Sequence, residues 1–234
     1  MIVALASWSA TFLQLGPMMD TSNFQLDPIV LTLFASSWTI GMVAMMFPTA
    51  VPMMLIFLHV AKSATPEIRA GGGPTMSKAA LFILCYIAVW GGFGVLFYLG
   101  LSIVSGLPPL RGFLGTVSSP LGMGLALLIV GFYQLSPLKG ECLDRCHPTN
   151  FLFKYYSGGR LGAAKMGIRY AEYCVGCCWV MMIFLLLVGA MGPLWMVLFA
   201  TPIFLERAIV HKRWPSRLIG LLFMSAGVLR LLSP

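Results

Sequence analysis

The feature that most constrains this chain is a succession of long apolar runs separated by short gaps rich in Gly, Pro and charge. A membrane-spanning helix needs roughly 20 apolar residues to cross a hydrocarbon core of roughly 30 Å. Inside that core only a helix or a closed barrel satisfies every backbone group. The runs are Met1–Leu15, Pro28–Val60, about Ala79 to Val104, Ser118 to Leu135, Ile168 to Ala190, Leu194 to Leu205 and Leu218 to Leu232. They predict an all-α, polytopic transmembrane helix bundle of about seven spans, forming one domain over residues 1–234. The first run is short for a span and is expected to belong to a helix whose start lies upstream. Only 9% of residues are charged, against roughly 25% in soluble domains, so a soluble enzyme with a large core is excluded.

The formal charge of +8 raises the possibility of nucleic acid, but the charges fall between the apolar runs. No Gly-rich phosphate loop, zinc-finger spacing or RNA-binding aromatic motif accompanies them. They read as topology. With seven spans, the segments Lys62–Lys78, Lys139–Glu172 and Arg207–Arg217 lie on one side and hold every basic residue except Arg111 and Arg230. The positive-inside rule makes that side cytoplasmic, in a multi-pass protein of the cell membrane. Within the polar segment 139–172, Leu152 to Gly167 is expected to form an interfacial amphipathic helix, with Gly158-Gly159 as a point of interruption.

The chain has six Cys, and five of them fall between Cys142 and Cys178. Cys174, Cys177 and Cys178 share one face of a helix, and Met181 and Met182 extend it by a turn. Just upstream, Cys142 and Cys146 suit one face of a short helix between Pro137 and Pro148, with His147 adjacent. Thiols in cytoplasmic surroundings stay reduced, and thiols with thioethers are the soft donor set that Cu(I) favours. Zinc is the alternative if four Cys converge. The polar segment is expected to return the chain so that Cys142 or Cys146 approaches Cys174 or Cys178. Cys85, alone in an apolar run, reads as an inert buried thiol.

Pro48 and Pro52 interrupt the second run. Each removes a backbone N–H and leaves the carbonyls of Ala44 and Pro48 without their usual helix partners, so a kink or unwinding is expected there. Met42, Met45 and Met46 share a face just before it, and Thr49 and Met53 continue that face. Packing explains Met alone; their coincidence with the double-Pro site makes Met42, Met45, Met46 and Met53 candidate ligands. Glu206 and Arg207 end the sixth run and read either as functional charges or as a snorkelling interfacial pair. No Ser/His/Asp set or paired carboxylates stand inside a run, so catalytic hydrolysis is not indicated.

Four strings together carry a resemblance: Trp38 to Met54, Gly131 to Cys146 (GFYQLSPLKGECLDRC), Lys165 to Trp179 (KMGIRYAEYCVGCCW) and Gly189 to Trp195. The chain resembles an uncharacterised bacterial and archaeal family of predicted metal-binding integral membrane proteins. The resemblance runs across most of the chain and implies metal binding, without naming a metal or a reaction.

Three functions compete. The first is a membrane Cu(I)-binding protein that passes metal from a donor protein or to an acceptor, with Cys142, Cys146, Cys174, Cys177, Cys178 and His147 as one station and the Met face as another. The second is a membrane dithiol redox protein using the Cys174-x-x-Cys177 spacing. The third is an accessory subunit of a larger membrane metalloenzyme complex. In each, the lipid bilayer is a partner and nucleic acid is not.

Overall fold

The structure, a computed structural model, describes residues 27–63, 75–106, 119–187, 193–208 and 214–232. Among the described residues there are eight α-helices and no strand. They are α1 (Pro28–Ser63), α2 (Thr75–Gly106), α3 (Pro120–Leu135), α4 (Pro137–Cys146), α5 (Pro148–Tyr155), α6 (Gly159–Leu187), α7 (Pro193–Ala208) and α8 (Trp214–Leu232). Four of them, α1, α2, α6 and α8, are long and apolar enough to cross a membrane. The pair α3 and α4, bent by 58°, makes a fifth if it is counted as one span. Of the other two expected spans, Met1–Leu15 lies outside the described residues, as do the Gly192 turn and most of the Lys62–Lys78 loop. The sixth is α7, whose 16 residues reach about 24 Å at roughly 1.5 Å per residue, short of a straight crossing.

Proline sets the boundaries in the middle of the chain. Ser119, Ser136 and His147 each precede a proline at the first position of α3, α4 and α5. Proline cannot continue the preceding helix but suits the first turn of the next, and it holds the residue before it extended. Ser119 and Ser136 also cap their helices, accepting from the Gly122 and Lys139 amides at 3.1 and 3.2 Å. Two short helices, α4 and α5, therefore fold where the sequence reads as one polar connection.

Two expectations need correction. Leu152 to Gly167 is not one interfacial helix but is broken at the expected interruption: α5 ends at Tyr155, and Gly159 takes a φ of 80°, a left-handed conformation that suits a residue without a Cβ. From Gly159 the chain then runs as one helix to Leu187, so the fifth apolar run starts well before Ile168. Lys165, Arg169 and Glu172 share one exposed face, and Arg160 is exposed in the first turn. Ala163, Met166, Tyr170 and Ala171 are buried, and a polar stripe does not interrupt a helix. The second correction concerns Pro48 and Pro52, which do not unwind α1; it is helical through both. The Thr49 hydroxyl donates to the Met46 carbonyl at 2.7 Å in the turn between them.

Helix α2 packs between α1 and α6, α4 lies on α6, and α7 packs on α1. Trp38 on α1 donates its indole N–H to the Trp90 carbonyl on α2 at 3.1 Å. Helices α3 and α8 touch backbone to backbone: a Cβ on Gly227 would sit 2.9 Å from the Gly124 carbonyl oxygen, so only small residues allow that approach. The polarity is inverted relative to a soluble domain. Leu84, Leu96, Ile129, Phe132, Leu221 and Leu229 are exposed, whereas Gln134, Lys139 and Glu206 are buried.

Candidate metal centre

Six helices bring chemistry to one region of the interior. Helix α6 contributes Cys174, Cys177 and Cys178, all buried, on the face read from their spacing. Helix α4 lies across it. Gly176 makes this approach possible, because a Cβ there would fall 2.9 Å from the Cys142 sulfur. The Tyr133 hydroxyl on α3 donates to the Gly176 carbonyl and ties the same turn to the α3/α4 bend. The result is a thiol pair across two helices, with Cys146 and Cys177 in contact at 3.4 Å between sulfurs, both free. The two Cys groups thus meet, as expected, although the pair in contact joins Cys146 to Cys177.

The remaining thiols have their own partners. The Cys174 sulfur lies 3.0 Å from the Tyr86 hydroxyl on α2 and 2.9 Å from Arg207 Nη2 on α7. That same nitrogen is 3.6 Å from the Cys146 sulfur, and Nη1 donates to the Thr49 hydroxyl on α1 at 3.0 Å. Cys178 donates to the Cys174 carbonyl at 2.9 Å and faces the Met46 thioether at 3.8 Å. Met46 therefore joins the thiols, and Met42, Met45 and Met53 are buried in the same core. Cys142 is half-buried over Gly176. His147 caps the start of α5, with Nδ1 2.7 Å from the Thr149 hydroxyl. Cys85 sits on α2 against Gly167.

A cavity of about 300 Å³ adjoins the cluster, lined in part by Thr49, Cys146, His147, Tyr170, Phe204 and Arg207. Beside it lies a buried ionic knot. Lys139 Nζ donates to both Glu206 carboxylate oxygens, at 2.8 and 2.6 Å, and to the Gln134 amide oxygen. Gln134 Nε2 donates to Glu206 at 3.1 Å. This knot fixes α7 to the α3/α4 bend, and the next residue, Arg207, is thereby presented to the sulfurs.

Sequence reasoning missed three of these groups. Tyr86 and Gln134 carried no signal, and Lys139 read as a loop charge. Glu206 and Arg207 were visible as an ionisable pair at the end of an apolar run. Both prove to point inward, to Lys139 and to the thiols, and not to an interface.

Residues 35–230 match the protein family PpoB2, described as a copper chaperone. The chain belongs to the PpoB2 copper chaperone family. No curated protein and no solved structure matches it. The metal-related family expected from the Cys-containing strings is thus a copper-handling one. Among the described residues, no three His, Cys, Asp or Glu side chains form a ready-made metal-binding group. What this chain brings together is a two-thiol contact with two further thiols and a thioether beside it. That donor set fits a soft ion of low coordination such as Cu(I), whereas a structural zinc site uses four donors on one centre.

Proposed function

We propose that this chain is a multi-pass membrane protein that binds Cu(I) between Cys146 and Cys177 and hands it on to a partner. The observation that carries the reading is the 3.4 Å contact between those two sulfurs. It joins two different helices, α4 and α6, inside a member of a copper chaperone family. Thiolates are the ligands metals take from cysteine, and two of them from different helices make a site that exists only in the folded chain. Cys174 and Cys178 supply further sulfur from α6 and Met46 from α1, Cys142 stands half-buried over Gly176, and His147 lines the cavity. The buried Met42, Met45 and Met53 continue the soft surface along α1, as a route for the ion away from the thiols.

The membrane reading is supported by the four long apolar helices and by the inverted polarity of the bundle. Lys154, Arg160, Lys165 and Arg169 are exposed around the end of the bundle that carries the thiols. Under the positive-inside rule these charges favour a cytoplasmic position for the cluster, within reach of the donor or acceptor protein that the reading calls for. The test is elemental analysis of protein purified without added metal. Copper in excess over zinc supports the reading. A metal-free protein with a trapped Cys146–Cys177 disulfide supports a membrane dithiol redox protein instead, which the same sulfur contact favours through a different pair from Cys174 and Cys177.

A further inference from the structure

Arg207 stands between two parts of the cluster. Its Nη2 lies 2.9 Å from the Cys174 sulfur and 3.6 Å from the Cys146 sulfur. It also lines the cavity, together with Cys146. On the far side of Cys174 are Cys178 and, 3.8 Å from it, the Met46 thioether. An ion arriving through the cavity therefore meets Cys146 first and finds Cys174 capped by a cation. We propose that Arg207 is the gate of the copper route: Cu(I) taken up by Cys146 and Cys177 advances to Cys174, Cys178 and Met46 only when the guanidinium swings away from Cys174 into the cavity. This rests on the copper reading above.

Three observations make the side chain suited to that movement. The first is that its tethers are few and include no carboxylate. Two are sulfurs, the third is the neutral Thr49 hydroxyl at 3.0 Å, and Nε is buried with no hydrogen-bond partner. The carboxylate next to it in the chain, Glu206, is taken by Lys139 at 2.6 Å and does not hold Arg207. The second is space: the adjoining cavity of about 300 Å³ has room for a guanidinium, with Thr49 and His147 on its wall. The third is that the backbone stays fixed. The Lys139–Glu206–Gln134 knot anchors α7 at the preceding residue, so the motion is confined to one long side chain, on a timescale open to rotamer changes. A cation so placed also repels a bare metal ion and keeps the deeper sulfurs metal-free until the outer pair has been loaded.

The experiment uses the whole chain in detergent under anaerobic conditions, with Ag(I) as the redox-inert stand-in for Cu(I) and ultraviolet metal–thiolate absorption in stopped flow as the readout. The native protein should load in two phases, the outer pair first. Arg207→Met should accelerate the second phase by about tenfold or more, the rate equivalent of one hydrogen bond to a charged group, and leave the first unchanged. Arg207→Lys, which keeps a cation but loses the fork, should fall between. A merely structural role would slow or abolish both phases together. A second phase insensitive to Arg207→Met, or a single phase in the native protein, overturns the gate. Should Arg207→Met fail to fold, the Ag(I)-loaded native structure decides. Arg207 moved out of hydrogen-bond range of Cys174 supports the proposal, and a retained 2.9 Å contact with metal bound overturns it. No uptake at all by the native chain overturns the copper reading itself.

Discussion

Replacing Lys139 by Met tests whether the ionic knot holds the thiol region together. The Lys139 and Glu206 side chains are 1% and 3% exposed, so neither charge has water to fall back on. Lys139→Met fills a similar volume but leaves the Glu206 carboxylate buried with Gln134 as its remaining donor, at 3.1 Å. Breaking a buried pair by removing one partner costs about 3–5 kcal/mol. The surviving Gln134 bond puts the expectation toward the lower end. For a chain of this length that corresponds to a fall in melting temperature of roughly 10 °C, at about 2–4 °C per kcal/mol. The double variant Lys139→Met, Glu206→Leu removes both charges, and apolar replacement of a whole buried pair is often close to neutral. It should therefore recover most of the loss, a large favourable coupling in the mutant cycle. The assay is thermal unfolding in detergent, followed by tryptophan fluorescence, for the native protein, Lys139→Met, Glu206→Leu and the double variant. A single variant within about 0.5 kcal/mol of native, the range of a surface substitution, would refute the reasoning. So would a double variant as unstable as the two singles added together.

The other predictions concern the sulfur route and its orientation. Met45→Leu with Met46→Leu nearly conserves volume and apolarity and should cost less than about 1.5 kcal/mol per site, while lowering the rate of Cu(I) transfer to an acceptor chelator; an unchanged rate would reduce these residues to packing. Impermeant thiol labelling of intact cells should spare the half-buried Cys142, which becomes reactive only after the cytoplasmic face is opened; labelling from outside would reverse the topology. Gly176→Ala pushes a Cβ to 2.9 Å from the Cys142 sulfur and should destabilise by about 1–3 kcal/mol as an overpacked contact; a neutral effect, read in the same melting assay, would mean that α4 is not seated on α6.

The helical class was legible because apolar runs of that length have few folds open to them, and Pro120, Pro137 and Pro148 announce their own helix starts. The shared face of Cys174, Cys177 and Cys178 followed from helical periodicity alone, as did that of Met42, Met45, Met46 and Met53. Other features were not local. Pro48 and Pro52 predict a break by their chemistry, yet α1 continues, because packing of its buried face outweighs the lost bonds. The partner of Cys177 could not be read from spacing: the in-helix pair with Cys174 is the nearer in sequence, but the bend at Ser136 swings α4 across α6 and brings Cys146 instead. Lys139 looked like a cytoplasmic charge and is buried, since its partner Glu206 lies 67 positions on and only tertiary structure joins them. Arg207 was visible as a charge, but its direction depends on how α7 is rotated, which the Lys139–Glu206 pair decides.

The account stands or falls on Cys146 and Cys177 as the first copper ligands. The direct measurement is Cu(I) stoichiometry, by elemental analysis after anaerobic loading, for the native chain and for Cys146→Ser, Cys177→Ser and Cys85→Ser. The account predicts bound copper in the native protein and in Cys85→Ser, and its loss in both Cys146→Ser and Cys177→Ser. Full stoichiometry in either of the latter two, with the fold intact, would contradict it.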